Sequence, residues 1–589
     1  MCGIFGFKLK RSLNDNDLKN SLEHLNLLKN RGPDNQGHYV DKENGVFLGH
    51  TRLSIIDLSE KANQPFIKDS SVIVYNGEIY NFKELKNDLK NKFLQTNSDT
   101  EVLLSLWKQD RLQGLRKIDG MFAFAIYENN ELYIGTDYFG EKPIYYLNND
   151  KGFYFSSEPK VLIKFLNLTP SLKQNELEEF LSLGFILSPG TGFEQLKVLE
   201  PNSLIKIGHK NEIKSSKIFL IEEIPEKNKK TELNDKDYSD FKNIFLKSLN
   251  RRLISDVPLG ILLSSGLDST LVAAAMVKEF NLNPLTFTAS FEDGVNEMPA
   301  VKKIVKYLNL ENIEISSSED TSWQKLDENT LELYSVLNDN TSGLHTRQIC
   351  NVAKNHIKVG LTGIGGDELF YGYNNYDFIN KYKFLYSNSK LIKRLSNYLN
   401  KFIKNKKINN LNNIIFNNNF HSYIASKNRE IGRLIDTGYL SLKGSPKILE
   451  SNIIDYVRKF DLNNALFSSY LTSADRGSMS KSLELRSPFL SIELLNFSNK
   501  FHSKIFKNNK KIFIKKLLKE YLPEELINKK KIGFNFPLKR FLKNKKIKFG
   551  YSLPDSFIDE LNINIEKKYY DKIAFRLLMI DKFENSKND

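Results

Sequence analysis

Residues 261–270, ILLSSGLDST, decide how the chain reads. The apolar run Leu259–Leu263 has the pattern of a short buried strand. It stops at Ser264-Ser265-Gly266-Leu267-Asp268-Ser269. An amphipathic run follows, with Leu267, Leu271, Val272, Ala274, Ala275 and Met276 at helical spacing. A strand, a turn of small residues and a helix start aim unpaired backbone N–H groups at an anion. The serine hydroxyls add donors, and Gly266 lets the backbone approach closely. An ordinary strand-to-helix turn also uses small residues. Six matching positions directly after a strand favour a phosphate cradle.

Outward from this loop, strands and helices alternate. A helix is expected at 237–253 before the loop strand and another at 267–280 after it. Strands follow at 284–291, 313–316 and 357–361, with helices at 296–308 and 344–356. That alternation predicts a parallel sheet. Residues 377–460 read as helical and Lys/Asn-rich, and 461–589 as helices with loops. Residues 1–205 differ. Short β-type runs fall at 4–8, 45–48, 72–76, 122–127, 132–136, 144–147 and 153–156, with more at 196–200 and 203–207. Helical stretches lie near 15–29, 82–92, 99–110 and 174–183, an α+β layered pattern. The charged stretch 222–236 reads as a linker. The expected division is 1–215, a linker at 216–236, a second domain at 237–545 and a helical tail at 546–589.

The chain has 589 residues, 40% hydrophobic and 12% aromatic, so large cores are within reach and global disorder is excluded. The net charge of +15 comes mostly from lysines interleaved with asparagine, as in 401–413, KFIKNKKINNLNN. No Arg-rich stripe or nucleic-acid motif accompanies it, so no nucleic-acid partner is expected. Cys2 and Cys350 are the only cysteines, too few for a disulfide scaffold, and a reducing compartment fits them. No signal-peptide pattern and no 18-residue apolar run is present, so a soluble cytoplasmic protein without membrane association is expected.

Cys2 directly follows Met1. Removal of the initiator leaves a terminal cysteine whose α-amine, of pKa about 7.7–8.0, can serve as base for a thiol of about 8.5. Arg31-Gly32-Pro33-Asp34 reads as a turn carrying a charge pair. Arg52 lies in GHTRLSIID, Asn76-Gly77-Glu78 in YNGEIYN, and Ser98-Asp99 reads as a helix N-cap. Each piece alone can be structural: NGE suits a hairpin and SDTE a capping box. Together they supply the parts of glutamine hydrolysis. These are a thiolate, an oxyanion hole from Asn76 and Gly77, and Arg52, Glu78 and Asp99 to hold the amino-acid end. MCGIFG, RGPD, RLSIID, YNGEIYN, SDTE and DGMFAFAIY resemble the class II glutamine amidotransferase domain over roughly residues 1–160. The resemblance implies a four-layer αββα N-terminal-nucleophile hydrolase fold, with Cys2 as nucleophile.

The opening loop resembles the pyrophosphate loop of ATP pyrophosphatases, with Ser265 in place of a usual glycine. A second glycine-rich turn, Thr362-Gly363-Ile364-Gly365-Gly366-Asp367-Glu368, follows a strand, where ligands gather in open sheets. Asp475-Arg476, LELRSPFL at 483–490 and KKKIGFNFP at 529–537 come later. In this order the pieces resemble glutamine-hydrolysing asparagine synthetase across about 1–545. The resemblance implies an adenine nucleotide alpha hydrolase-like parallel sheet with added helices, acting on glutamine, aspartate and ATP with Mg²⁺. A homodimer is compatible with it. Residue by residue, it implies that Ser264, Gly266, Asp268 and Ser269 cradle pyrophosphate. Leu263, Ala289 and Gly363 hold adenosine, Asp268 and Asp367 bind Mg²⁺, and Lys531 neutralises the departing pyrophosphate. Ammonia would pass through an internal tunnel.

One position departs from the pattern. Where the family usually has a carboxylate that handles the acceptor or takes a proton from ammonia, this chain has Ile364. The stretch 338–350 also lacks the usual aspartate-pocket pattern. Three readings stay open: a ligase acting on aspartate or another carboxylate such as a surface-sugar acid, a glutaminase whose second half only binds nucleotide, and a non-catalytic binding protein.

Overall fold

The computed structural model describes residues 2–90, 93–209, 211–221, 223–290, 297–316, 325–374, 376–377, 453–507, 509–527, 538–543, 559, 562–563 and 570–586. Lys531, the Lys/Asn-rich segment 388–420 and most of the expected helical stretch 377–460 lie outside these residues.

The first part carries two six-stranded antiparallel sheets. One runs, in spatial order, Lys197–Val198, Tyr145–Asn148, Gly152–Ser156, Gly3–Leu9, Val46–Arg52, Asn35–Asp41. The other runs Ile213–Lys217, Ser203–Ile207, Glu131–Thr136, Gly120–Glu128, Ser71–Ile79, Phe66–Lys68. Their facing sides share one core, where Ile4, Leu48 and Phe155 meet Val74, Ala125 and Ile134. Alternation along each strand turns the other side chains outward. Phe5, Phe7 and Phe47 pack with Leu25 and Val161 from helices Asp15–Leu25 and Pro159–Phe165. Ile73, Tyr75 and Phe124 pack with Leu103 and Trp107 from helix Asp99–Asp110.

The second part is built on a five-stranded sheet in the order Asn312–Ser316, Leu285–Ser290, Leu259–Leu262, Val359–Leu361, Glu484–Arg486, parallel at every pairing. Four strands agree with the sequence. The fifth is a correction: LELR was read within a region of helices and loops. Three residues are too short to show a period. The strand forms because Val359–Leu361 offers an open edge, and Glu484, Leu485 and Arg486 take it in register. Strands Asn35–Asp41 and Ile213–Lys217 also escaped the pattern reading. Both are edge strands, so they need no apolar alternation.

The stretch expected as a linker is pinned down. The Lys230 N–H donates to the Lys500 carbonyl and its own carbonyl accepts from the His502 N–H, both at 2.8 Å. Helix Tyr570–Asn585 docks as well. Arg576 donates to Asp339 at 2.6 Å and to the Leu181 carbonyl at 2.7 Å.

Candidate active sites

Cys2 is buried at the head of strand Gly3–Leu9. Its N–H donates to Asn76 Oδ1 at 2.9 Å, and its carbonyl accepts from Arg31 Nε at 3.1 Å. Burial pushes the thiol pKa up. The chain-terminal charge, the Leu53 N–H and Arg52 work against that rise. Asn76 is fully buried, and its Nδ2 has no hydrogen-bond partner among the described residues. An unmet buried donor beside a thiol is what an oxyanion would satisfy. Gly77 has φ 154°, and a Cβ there would lie 2.1 Å from the Met121 carbonyl oxygen, so only glycine fits. NGE is therefore strand interior, not a hairpin turn.

Glu78 and Asp99 lie close enough to act on each other's charge. Asp99, at the start of its helix, accepts from the Tyr75 hydroxyl at 3.0 Å and the Ile79 N–H at 2.9 Å. Burial raises its carboxyl. Burial, then Glu484 and Asp99, push Glu78 well above the usual carboxylate range. Arg52 is spent mostly on its own loop, donating to the Ser59 carbonyl at 2.9 Å, to Asn63 Oδ1 at 2.8 Å and to the Asp57 carbonyl. Ser98 caps the helix through the Thr100 N–H, while Glu101 turns to Lys68, Gln95 and Thr96 instead of closing a capping box.

The turn RGPD does not pair within itself. Arg31 forms a two-pronged ion pair with Asp475 and also reaches Glu158. Asp34 pairs with Lys358 at 2.8 Å. Both charges tie the first part of the chain to the second, a use invisible at four-residue range.

In the second part, Leu263, Ala289 and Gly363 stand at the carboxyl ends of three neighbouring parallel strands. Leu263 and Ala289 are buried. The serine loop is folded on itself: Ser264 Oγ and Ser269 Oγ are 3.0 Å apart, and the Gly266 N–H donates to Ser264 Oγ at 3.2 Å. The Ser265 N–H donates to the Glu297 carboxylate at 3.0 Å, so this donor already faces an anion. Ser265 keeps a negative φ, which the serine-for-glycine exchange requires. Gly363 and Gly366 pack against the helix start. A Cβ on Gly363 would lie 2.6 Å from Asp268 Cβ, and one on Gly366 2.5 Å from Asp268 Oδ1.

Asp268 and Asp367, far apart in sequence, meet at Lys511. Its ammonium lies 2.5 Å from Asp268 Oδ2 and 2.6 Å from Asp367 Oδ1. Burial opposes the lysine's charge, but the two carboxylates overcome it and raise its pKa well above the ordinary value. Two hard oxygen donors gathered on one cation suit Mg²⁺. Sequence reasoning missed Lys511 because it sits in a lysine-rich run, KNNKKIFIKK, with no local mark. Its backbone is left-handed, φ 54°, at the cap of helix Ile512–Tyr521. Lys531 lies outside the described residues.

A cavity of about 20 Å³ is lined by Lys142, Ile364, Asp475, Ser478 and Arg486 among others. It touches the Cys2 surroundings through Asp475, which holds Arg31, and the glycine-rich turn through Ile364.

Residues 1–218 match the glutamine amidotransferase domain family, and residues 240–553 match the asparagine synthase family. A Bacillus subtilis (strain 168) protein named asparagine synthetase [glutamine-hydrolyzing] 1 is 29% identical over 571 residues, covering 92% of this chain and 88% of its own length. A Methanocaldococcus jannaschii protein named putative asparagine synthetase [glutamine-hydrolyzing] 2 is 32% identical over 413 residues, covering 65% and 78%. No helix among the described residues is long and apolar enough to cross a membrane. With the second match spanning more than half of its length, and a glutamine amidotransferase domain ahead of it, the chain belongs to the asparagine synthase family.

Proposed function

We propose that the chain is a glutamine-dependent asparagine synthase. The observation that carries this reading is the convergence of Asp268 and Asp367 on buried Lys511 at the mouth of the parallel sheet, in a chain that also presents Cys2 against Asn76.

In the first site the Cys2 thiolate attacks the glutamine amide carbon. Asn76 Nδ2 and the Gly77 N–H receive the developing oxyanion, and the C–N bond breaks to release ammonia. Water then cleaves the thioester to glutamate. Arg52, Glu78 and Asp99 hold the amino-acid end. In the second site Leu263, Ala289 and Gly363 seat the adenosine of ATP, and Ser264, Gly266 and Ser269 cradle the phosphates. Asp268 and Asp367 would hold Mg²⁺, which neutralises phosphate charge when bound. An aspartate β-carboxylate oxygen attacks the α-phosphorus, and pyrophosphate leaves past Lys511, with Lys531 assigned by family resemblance to neutralise its charge. Ammonia, arriving by way of the cavity near Ile364, attacks the acyl carbon and displaces AMP.

The first part is read as an αββα N-terminal-nucleophile hydrolase, on the support of its two facing sheets and outer helices. The second is read as an ATP-pyrophosphatase sheet. The division is kept as 1–215, 216–236, 237–545 and 546–589; the two family matches, at 1–218 and 240–553, support a two-domain order. A cytoplasmic location suits its two free cysteines.

Ile364 favours a second reading, a related ligase amidating another carboxylate, because its side chain lines the cavity and cannot take a proton from ammonia. One assay separates the two. Pure protein with glutamine, ATP and Mg²⁺ is given aspartate, and pyrophosphate and asparagine are measured. Aspartate-dependent formation of both supports the first reading. Glutamate release without aspartate-dependent pyrophosphate sinks it.

A further inference from the structure

Arg486 belongs to the second part of the chain, yet it ends beside Glu78 of the first. Its guanidinium is fully buried and largely committed. Nε donates to Glu484 at 2.6 Å, and one terminal nitrogen donates to the carbonyls of Arg252 at 3.0 Å and Ile254 at 2.7 Å. The other terminal nitrogen stands 3.6 Å from Glu78 Oε1. That is beyond hydrogen-bond length but within ion-pair reach, between two buried side chains. Neither this nitrogen nor Glu78 Oε2 has a hydrogen-bond partner among the described residues.

The reach across the junction is set by the sheet. Strand Glu484–Arg486 is locked in register beside Val359–Leu361. Tyr80, two residues beyond Glu78, lies against both the Arg252 guanidinium at 4.4 Å and that of Arg486 at 5.5 Å. The charged and titratable groups facing Glu78 are Glu484 and Arg486 from the second part, Asp99 from its helix start, Tyr75 from its own strand, and Cys2 with the chain's α-amine. Of the charges that oppose its protonation, Arg486 is the largest.

We propose that Arg486 is a positioning residue for glutamine. Across the junction of the two parts, it sets a positive charge beside Glu78 that favours the anion when the ligand's α-ammonium arrives. This rests on reading Glu78 as a glutamine ligand. In the ligand-free protein, burial, Glu484 and Asp99 favour the protonated carboxyl; the arriving α-ammonium and Arg486 together draw the proton off, and without the guanidinium the ammonium meets a carboxyl that ionises less readily. The glutamine site is then complete only while the second part is folded against the first.

Glutaminase kinetics on the full-length protein test this. R486M is expected to raise KM for glutamine about tenfold or more, keep kcat within about threefold, and move the rise of kcat/KM to higher pH. E484Q removes a competing carboxylate and leaves the guanidinium to Glu78, so KM is expected to fall or the profile to move to lower pH. A purely structural role for the strand raises KM in both variants. E78Q is expected to raise KM about a hundredfold, and adding R486M to it should cost nothing more, because the two act through one contact. An unchanged KM in R486M, with E78Q impaired, overturns the proposal alone. An unchanged KM in E78Q overturns the reading of Glu78 beneath it. If melting curves show R486M unfolded, E484Q decides: a downward shift supports the proposal, and an upward or absent shift overturns it.

Discussion

Arg31 and Asp475, 444 residues apart, form a two-pronged ion pair at 2.8 and 2.9 Å across the junction of the two parts, and both side chains are buried. The same guanidinium holds the Cys2 carbonyl. The pair therefore joins the parts and seats Cys2 at once. Asp475→Asn leaves a buried charge short of its counter-ion, which costs about 3–5 kcal/mol. Denaturant unfolding should show that loss. Glutamine-dependent turnover should fall more than ammonia-dependent turnover, and equal losses would remove the seating role.

Cys2→Ala is expected to abolish glutamine-dependent pyrophosphate release and leave ammonia-dependent release in place. Loss of both activities in a folded variant would count against two separate sites.

Lys511→Met leaves Asp268 and Asp367 without the ammonium that joins them. Pyrophosphate release should drop about a hundredfold or more, the scale of one lost charge-stabilising group, while glutaminase activity persists. A near-normal rate would show that the lysine only fills space in the nucleotide-free protein.

Asp268→Ala is expected to stop pyrophosphate release with glutaminase activity retained. Its side chain sits against Gly366 and Lys511 together. An unchanged rate would remove it from the metal site.

His50 is fully buried, its Nε2 3.1 Å from the Tyr75 carbonyl oxygen, and burial lowers its pKa from 6.5 to about 3. The unfolded chain binds the proton first, so this group's contribution to stability is present above pH 6.5 and is lost as pH falls towards about 3. His50→Gln, which keeps a donor for Tyr75, should flatten stability against pH in that window. An unaltered slope would mean that His50 is not the group that titrates.

The parts of each site written as contiguous motifs were legible in the residues alone. SSGLDS, TGIGGDE and YNGEIYN announce themselves because a backbone cradle or a glycine-only strand position must be built from neighbours in sequence. Helix Gln174–Leu183 and the inner strands were legible for a related reason, since burying one face imposes a period. Edge strand Asn35–Asp41 carries no such demand and was missed. Lys511 was hidden by the lysines around it, which share its composition but not its burial.

By itself, then, the sequence determined the two families, their order along the chain and most of the strands, because local backbone geometry and one-sided burial leave local marks. Only the tertiary structure decided the long-range pairings: Arg31 with Asp475, Arg486 with Glu78, Lys511 with Asp268 and Asp367, and LELR as a fifth strand. A buried charge needs a partner nearby in space, and nothing requires that partner to be nearby in sequence.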